Sequence, residues 1–143
     1  MNRLLVIDAS VAIKWLVPEE GSEFALSIIE QEFSLVAPDL LLSEIGNVLW
    51  KKSRSKKITS EAAIRLLNGF QNVSLRLIPS TDIASVALGI AQRFDRSYYD
   101  SLYLALANTF NAPVVTADRK FWNALQTTPY KDKVILLGMK IVA

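Results

Sequence analysis

The chain has 143 residues, 51% of them hydrophobic, a formal net charge of +2, and neither cysteine nor histidine. That length suits one domain with a hydrophobic core and leaves no room for a second, and five Gly and five Pro are too few for a disordered or linker-rich chain. Without cysteine there are no disulfides, thiolate nucleophiles or zinc-thiolate sites; without histidine there is no Ser-His-Asp triad and no HExxH metalloprotease, so any catalysis must run on carboxylates, hydroxyls, lysines or a metal ion.

The first strand is expected over Arg3 to Ile7, running out into Asp8-Ala9-Ser10. A short helix follows over Ser10 to Val17, stopped by Pro18, and a second over Ser22 to Glu32 with Phe24, Ile28 and Ile29 on one face. Ser34 to Ala37 reads as a short strand. Asp39 begins a longer helix through about Arg54, and another runs from Thr59 to about Gln71. Leu75 to Ile78 is a strand closed by Pro79. Helices from about Asp82 to Phe94 and Tyr98 to Phe110 precede the strand Pro113-Val114-Val115, which ends in Thr116-Ala117-Asp118. A helix from about Arg119 to Leu125 and a strand from Val134 to Leu137 complete the chain. Strands separated by helices imply an α/β, three-layer fold: a mostly parallel central sheet with helices on both faces. Leu4 to Ile7 is too short for a secretory signal, and no stretch approaches the ~20 apolar residues of a membrane span. A cytoplasmic, soluble protein with no membrane partner is expected.

Two of these segments share a pattern. An apolar strand runs into a carboxylate with a hydroxyl residue two positions away: Asp8 with Ser10, and Asp118 with Thr116. Open parallel sheets bind ligands at the carboxyl ends of their strands, so these two acids are expected in one cleft. Two further acids have apolar neighbours. Glu44 shares a helical stripe with Leu41 and Val48, with Asn47 one turn on, and Asp100 opens an apolar helix through Ala107. Each acid also has an ordinary explanation. Asp8 and Asp118 suit helix N-caps, Ser97-x-x-Asp100 matches a capping box, and Glu44 suits the rim of an amphipathic helix. Jointly they form an acidic quartet in a chain with no other catalytic chemistry, whereas Asp39, Asp82 and Asp95 fit turns or helix starts. Crowded carboxylates need protons or cations, and an oxygen-rich, histidine-free set favours Mg²⁺ or Mn²⁺ over zinc.

Lys51, Lys52, Arg54, Lys56 and Lys57 form a basic run. Its ordinary reading is a solvated helix end; with Lys14, the alternative is a contact surface for phosphates. Trp15, Leu16, Trp50, Tyr98 and Tyr99 add apolar surface beyond what a small core absorbs, so some are expected at an interface, with Trp50 the first choice for the core.

The segments LLVIDASVAIKWLVPEE, SEIGNVLW, YYDSLYLALA and VVTADRKF resemble the PIN-domain ribonucleases, and within them the VapC-type toxins of prokaryotic toxin-antitoxin systems. Each segment is short; all four in this order, over a single domain spanning 1–143, make the resemblance specific. It implies that Asp8, Glu44, Asp100 and Asp118 are the catalytic, metal-holding acids; on chemical grounds Asp8 and Asp118 are expected to ligate directly and Glu44 and Asp100 directly or through water. It assigns accessory roles to Ser10, Asn47 and Thr116; Lys14, Lys51, Lys52 and Arg54 are candidate RNA contacts by their charge alone, with the ordinary structural reading preferred. It further implies a Mg²⁺- or Mn²⁺-dependent endoribonuclease acting on RNA. Such a protein is usually a homodimer, held inactive by a cognate antitoxin; for this chain a basic antitoxin segment placing an Arg or Lys into the acidic cleft is expected. A dehalogenase-type phosphatase would want a second Asp where Ser10 stands, and a receiver domain would want paired acids before its own Asp. A non-catalytic PIN-like module that binds RNA or protein, and a DNA or flap nuclease on the same fold, stay open.

Overall fold

The computed structural model describes residues 3–139 and 141. Its strands are β1 (Arg3–Ile7), β2 (Phe33–Pro38), β3 (Leu75–Ile78), β4 (Val114–Thr116) and β5 (Val134–Leu136). All pair in parallel in the order β3-β2-β1-β4-β5, with Leu5 opposite Leu35 and Val6 opposite Val114. A parallel sheet covered on both faces needs apolar residues on both sides of each strand. Accordingly Leu5, Val6 and Ile7, then Leu35 to Pro38, then Val114 to Thr116 are buried as continuous runs.

The helices are α1 (Ala9–Ala12), α2 (Ser22–Glu30), α3 (Leu40–Arg54), α4 (Ser60–Phe70), α5 (Ser80–Phe94), α6 (Tyr98–Phe110) and α7 (Arg119–Leu125). After β1 the chain winds outward to β2 and β3, then returns past β1 to β4 and β5. This reversal lies between β1 and β4, and it is where an open α/β sheet leaves a crevice at its strand ends. Helix α6 packs against β1, β2, β4 and α5, which explains why every residue from Ser101 to Ala107 is buried.

The expected elements recur with local differences. The first helix ends as an α-helix at Ala12 and tightens into a 3₁₀ turn over Ile13–Trp15. Helix α2 stops at Glu30, and only Ala25 and Ile28 of it are buried. Phe24 and Ile29 are exposed, so the expected apolar face is narrower. Trp50 is corrected more sharply: it is 52% exposed rather than in the core. The buried stripe of α3 is Leu41, Ile45 and Leu49, and the residue after Leu49 is rotated about 100° away from it. There the Arg54 guanidinium lies 4.6 Å from the Trp50 ring centre. Trp15 is partly buried, donates its indole N–H to the Ala25 carbonyl at 2.8 Å and stacks near Phe70. Among the described residues no helix is long and apolar enough to cross a membrane.

Candidate functional site

Asp8 leaves the end of β1 at the N-cap position of α1, yet its side chain makes no cap hydrogen bond. Instead two hydroxyls address one of its oxygens. Ser10 Oγ donates to Oδ2 at 2.6 Å and Thr116 Oγ1 donates to the same Oδ2 at 2.7 Å. Both hydroxyls are themselves acceptors, Ser10 Oγ from the Ala117 amide at 2.8 Å and Thr116 Oγ1 from the Asp118 amide at 3.1 Å. A hydroxyl has one proton, and with an amide N–H on its lone pairs that proton is directed at the carboxylate. The 3.3 Å approach of the two hydroxyls to each other therefore reflects their shared acceptor. This network explains how Thr116, wholly buried, is satisfied, and it ties the end of β1 to the end of β4.

Asp118 caps α7: its Oδ1 accepts from the amides of Lys120 at 3.0 Å and Phe121 at 3.2 Å. The cap uses one oxygen of an exposed carboxylate and fixes its orientation, so the structural role and a second role are compatible. At α6, Ser97 Oγ accepts from the Asp100 amide at 3.0 Å. Among the described residues the reciprocal bond from the Ser97 amide to the Asp100 carboxylate is not made, so the capping box is only half formed. Glu44, on α3, accepts at Oε1 from the buried phenol of Tyr103 at 2.7 Å. Asn47 lies one turn beyond Glu44 on the exposed side and, among the described residues, bonds to none of the four acids.

The acids sense one another. Burial raises the pKa of Asp8 above the usual aspartate value; the hydroxyls of Ser10 and Thr116 and the Ala9 amide pull it down, and Asp118 adds to the rise. Burial likewise raises Glu44, against the Tyr103 hydrogen bond and with help from Asp8 and Asp100. Asp100 is raised by burial and then by Asp8, opposed by Arg96 and Ser97, with Asp118 contributing upward. Among the described residues, ion pairs join Lys14 and Lys52 to Glu19, and none of the four acids has a cation at salt-bridge distance. Nor do three of them approach closely enough to enclose a metal ion by themselves. The four acids share one field as an open set of oxygen donors, not a closed cage.

The basic candidates are placed differently. Lys14 Nζ donates to Glu19 Oε1 at 3.0 Å and to the Glu20 carbonyl at 2.7 Å, and Lys52 Nζ lies 3.8 Å from Glu19. Arg54 lies over Trp50, while Lys51 is exposed. Three of the four thus brace neighbouring groups. Two residues near the acids escaped the sequence reading, Tyr103 and Arg96. For Tyr103 the available signal was its place three residues after Asp100 in a buried helix, where a phenol O–H needs a partner.

The PIN domain family model matches residues 5–124, from β1 into α7 and across all four acids. Ribonuclease VapC3 of Pyrobaculum aerophilum is 30% identical over 118 residues, 81% of this chain and 90% of the relative. Ribonuclease VapC1 of Mycobacterium tuberculosis is 27% identical over 115 residues, 80% and 86% of the two chains. Among solved structures, PAE2754 of Pyrobaculum aerophilum aligns with a TM-score of 0.66 at 24% identity, covering 85% of this chain and 79% of that one. Mycobacterium tuberculosis VapC20, a sarcin-ricin loop cleaving toxin, gives 0.65 at 15% identity over 84% and 94%. VapBC2 of Rickettsia felis, bound to a DNA fragment from its promoter, gives 0.60 at 16% identity over 93% and 96%. These structural likenesses are likenesses of fold, and the match over most of the sequence carries the assignment: the chain belongs to the PIN-domain family.

Proposed function

We propose that the protein is a divalent-metal-dependent endoribonuclease, the toxin of a toxin-antitoxin pair, hydrolysing RNA phosphodiester bonds at the cleft of Asp8, Glu44, Asp100 and Asp118. The observation that carries this reading is the fixing of Asp8 by Ser10 and Thr116 at the β1–β4 crevice, in the field of three other acids that have no paired cation among the described residues. The ribonuclease names of the sequence relatives support the reaction, and the VapBC2 complex supports an antitoxin partner.

The donor set fits Mg²⁺ or Mn²⁺: every candidate ligand atom is a carboxylate oxygen, and uncompensated acids gain by binding a hard cation. Asp8 and Asp118 would hold the ion directly, with Glu44 and Asp100 beside it. When bound, such an ion supplies charge stabilisation at the phosphate and lowers the pKa of a water. The chain's own part is orientation. Among the described residues, Ser10 and Thr116 occupy Oδ2 of Asp8 and leave Oδ1 free of side-chain donors, and the α7 amides occupy Oδ1 of Asp118 and leave Oδ2. Ser10 and Thr116 direct their only protons at Asp8, which fixes that carboxylate in place. Exposed Lys51 is the candidate among the basic residues best placed to meet RNA phosphates.

A homodimer is part of the same reading. Exposed Trp50 and Ile64 line an apolar groove of about 270 Å³ between α3 and α4, and monomers rarely leave such surface open. RNA and DNA are to be digested side by side with Mg²⁺, with Mn²⁺ and with chelator. Cleavage of RNA alone, only with a divalent ion, and its loss in Asp8→Asn are expected. Equal cleavage in chelator would overturn the metal assignment, cleavage of DNA alone would move the protein to another nuclease class, and no cleavage of either would favour a binding module.

A further inference from the structure

Asp8 is held by two hydroxyls, that of Thr116 donated from a distant strand, and Glu44 is held by a distant hydroxyl in the same manner. Tyr103 is 3% exposed in α6, and its Oη donates to Glu44 Oε1 at 2.7 Å across 59 residues of sequence. Among the described residues this is the only side-chain hydrogen bond that Glu44 makes. A glutamate has three side-chain torsions, and one at the rim of a helix is free to swing into water unless something holds it. The tyrosine has two, both confined by packing in the stretch of α6 that is buried from Ser101 to Ala107. Asp100 lies three residues before Tyr103 on the same face of α6, so one rigid helix carries an acid of the cleft and the donor that orients another. A tyrosine phenol is protonated at neutral pH and is therefore a donor to the carboxylate it meets.

We propose that Tyr103 is a positioning residue: its phenol holds the Glu44 carboxylate in the acidic cleft by the 2.7 Å hydrogen bond, leaving Oε2 oriented for a divalent cation. The proposal rests on the reading of Glu44 as part of the metal site. An aromatic ring alone would serve the core as well as Tyr103 does, and a buried phenol is tolerated only when its O–H is satisfied. The hydroxyl is therefore the informative part of the residue.

The test is a double-mutant cycle on the RNA-free protein, with Mn²⁺ binding measured by calorimetry for wild type, Tyr103→Phe, Glu44→Gln and the double variant. Tyr103→Phe is expected to weaken Mn²⁺ about tenfold, the scale seen when the partner of a metal ligand is removed. In the Glu44→Gln background it should change nothing further. RNA cleavage is expected to lose kcat at limiting Mn²⁺, with KM for RNA unchanged. Wild-type Mn²⁺ affinity in Tyr103→Phe, while Glu44→Gln is weakened, would overturn the proposal and leave the metal site standing, as would an equal loss in both backgrounds. If Glu44→Gln itself binds Mn²⁺ and cleaves RNA as wild type does, the metal role of Glu44 is what falls, and this proposal with it. Should Tyr103→Phe not fold, Glu44→Asp probes the bond from the carboxylate side by drawing the acid off the phenol while keeping its charge. It is expected to show the same tenfold loss, and wild-type affinity there would overturn the proposal.

Discussion

Thr116 donates to Asp8 across 108 residues of sequence, at 2.7 Å, joining the ends of the two strands between which the sheet reverses direction. The same hydroxyl accepts from the Asp118 amide, so one buried oxygen positions two acids of the cleft. Thr116→Val keeps the shape and removes the hydroxyl, leaving the Asp118 amide and the Asp8 carboxylate each one partner short. A loss of about 1–3 kcal/mol in stability is expected, with RNA cleavage falling about 10–100-fold. Thr116→Ser restores the hydroxyl and should recover most of the activity. Thermal melts and cleavage rates on the three proteins check this; a Val variant as active as wild type would show that the bond does not orient Asp8 for the reaction.

Asp118 serves as a helix cap and, in the proposed reaction, as a metal ligand, and two substitutions separate these roles. Asparagine caps as well as aspartate, so Asp118→Asn should melt within about 0.5 kcal/mol of wild type while losing activity by orders of magnitude. Asp118→Ala loses the cap as well, at a further cost of about 1 kcal/mol. If Asp118→Asn cleaves RNA at the wild-type rate in Mg²⁺ or Mn²⁺, the acid is a cap alone.

Asp8, Glu44 and Asp100 all have raised pKa values in the folded protein, which sets a direction for stability against pH. An acid raised by folding contributes stability that is fully present below its unfolded value, 3.8 for the aspartates and 4.5 for the glutamate. That stability is lost as pH climbs through the folded value, because the folded state then holds more protons than the unfolded one. In chelator, Asp100→Asn should therefore gain melting temperature relative to wild type as pH rises above about 4. Mg²⁺ or Mn²⁺ should remove much of that gap by binding the ionised cluster of the wild type. A gap that shrinks with rising pH in chelator would contradict the crowding of these acids.

The strand-end acids were legible in the sequence because the signal is local: an apolar run, a carboxylate and a hydroxyl two residues away specify Asp8, Ser10, Thr116 and Asp118 together. The partnership of Glu44 with Tyr103 was not, since a tyrosine in an aliphatic helix reads as core and its partner is supplied by packing between distant elements. Trp50 was misplaced for the opposite reason. Its bulk suggested burial, but the phase of Leu41, Ile45 and Leu49 already turned it outward, and at an amphipathic helix phase outranks hydrophobicity. The sheet order followed from neither propensity nor pattern; alternation of strands and helices gives a parallel sheet, and only tertiary pairing shows that β4 returns beside β1.

Ser101 stands next to Asp100 with its hydroxyl wholly buried and, among the described residues, without a hydrogen-bond partner. An unsatisfied buried hydroxyl costs desolvation free energy with nothing returned, and alanine fits any space that serine fills while being the better helix former. Ser101→Ala is therefore expected to stabilise the protein by about 1 kcal/mol or more. Chemical denaturation with an unchanged m-value would report this as a gain in the native state. Because the hydroxyl touches none of the four acids, Mn²⁺ affinity and RNA cleavage should stay at wild-type levels. A destabilised variant would show that Ser101 has a partner, such as a buried water, and a folded variant with weakened Mn²⁺ binding would place that partner at the acidic cleft.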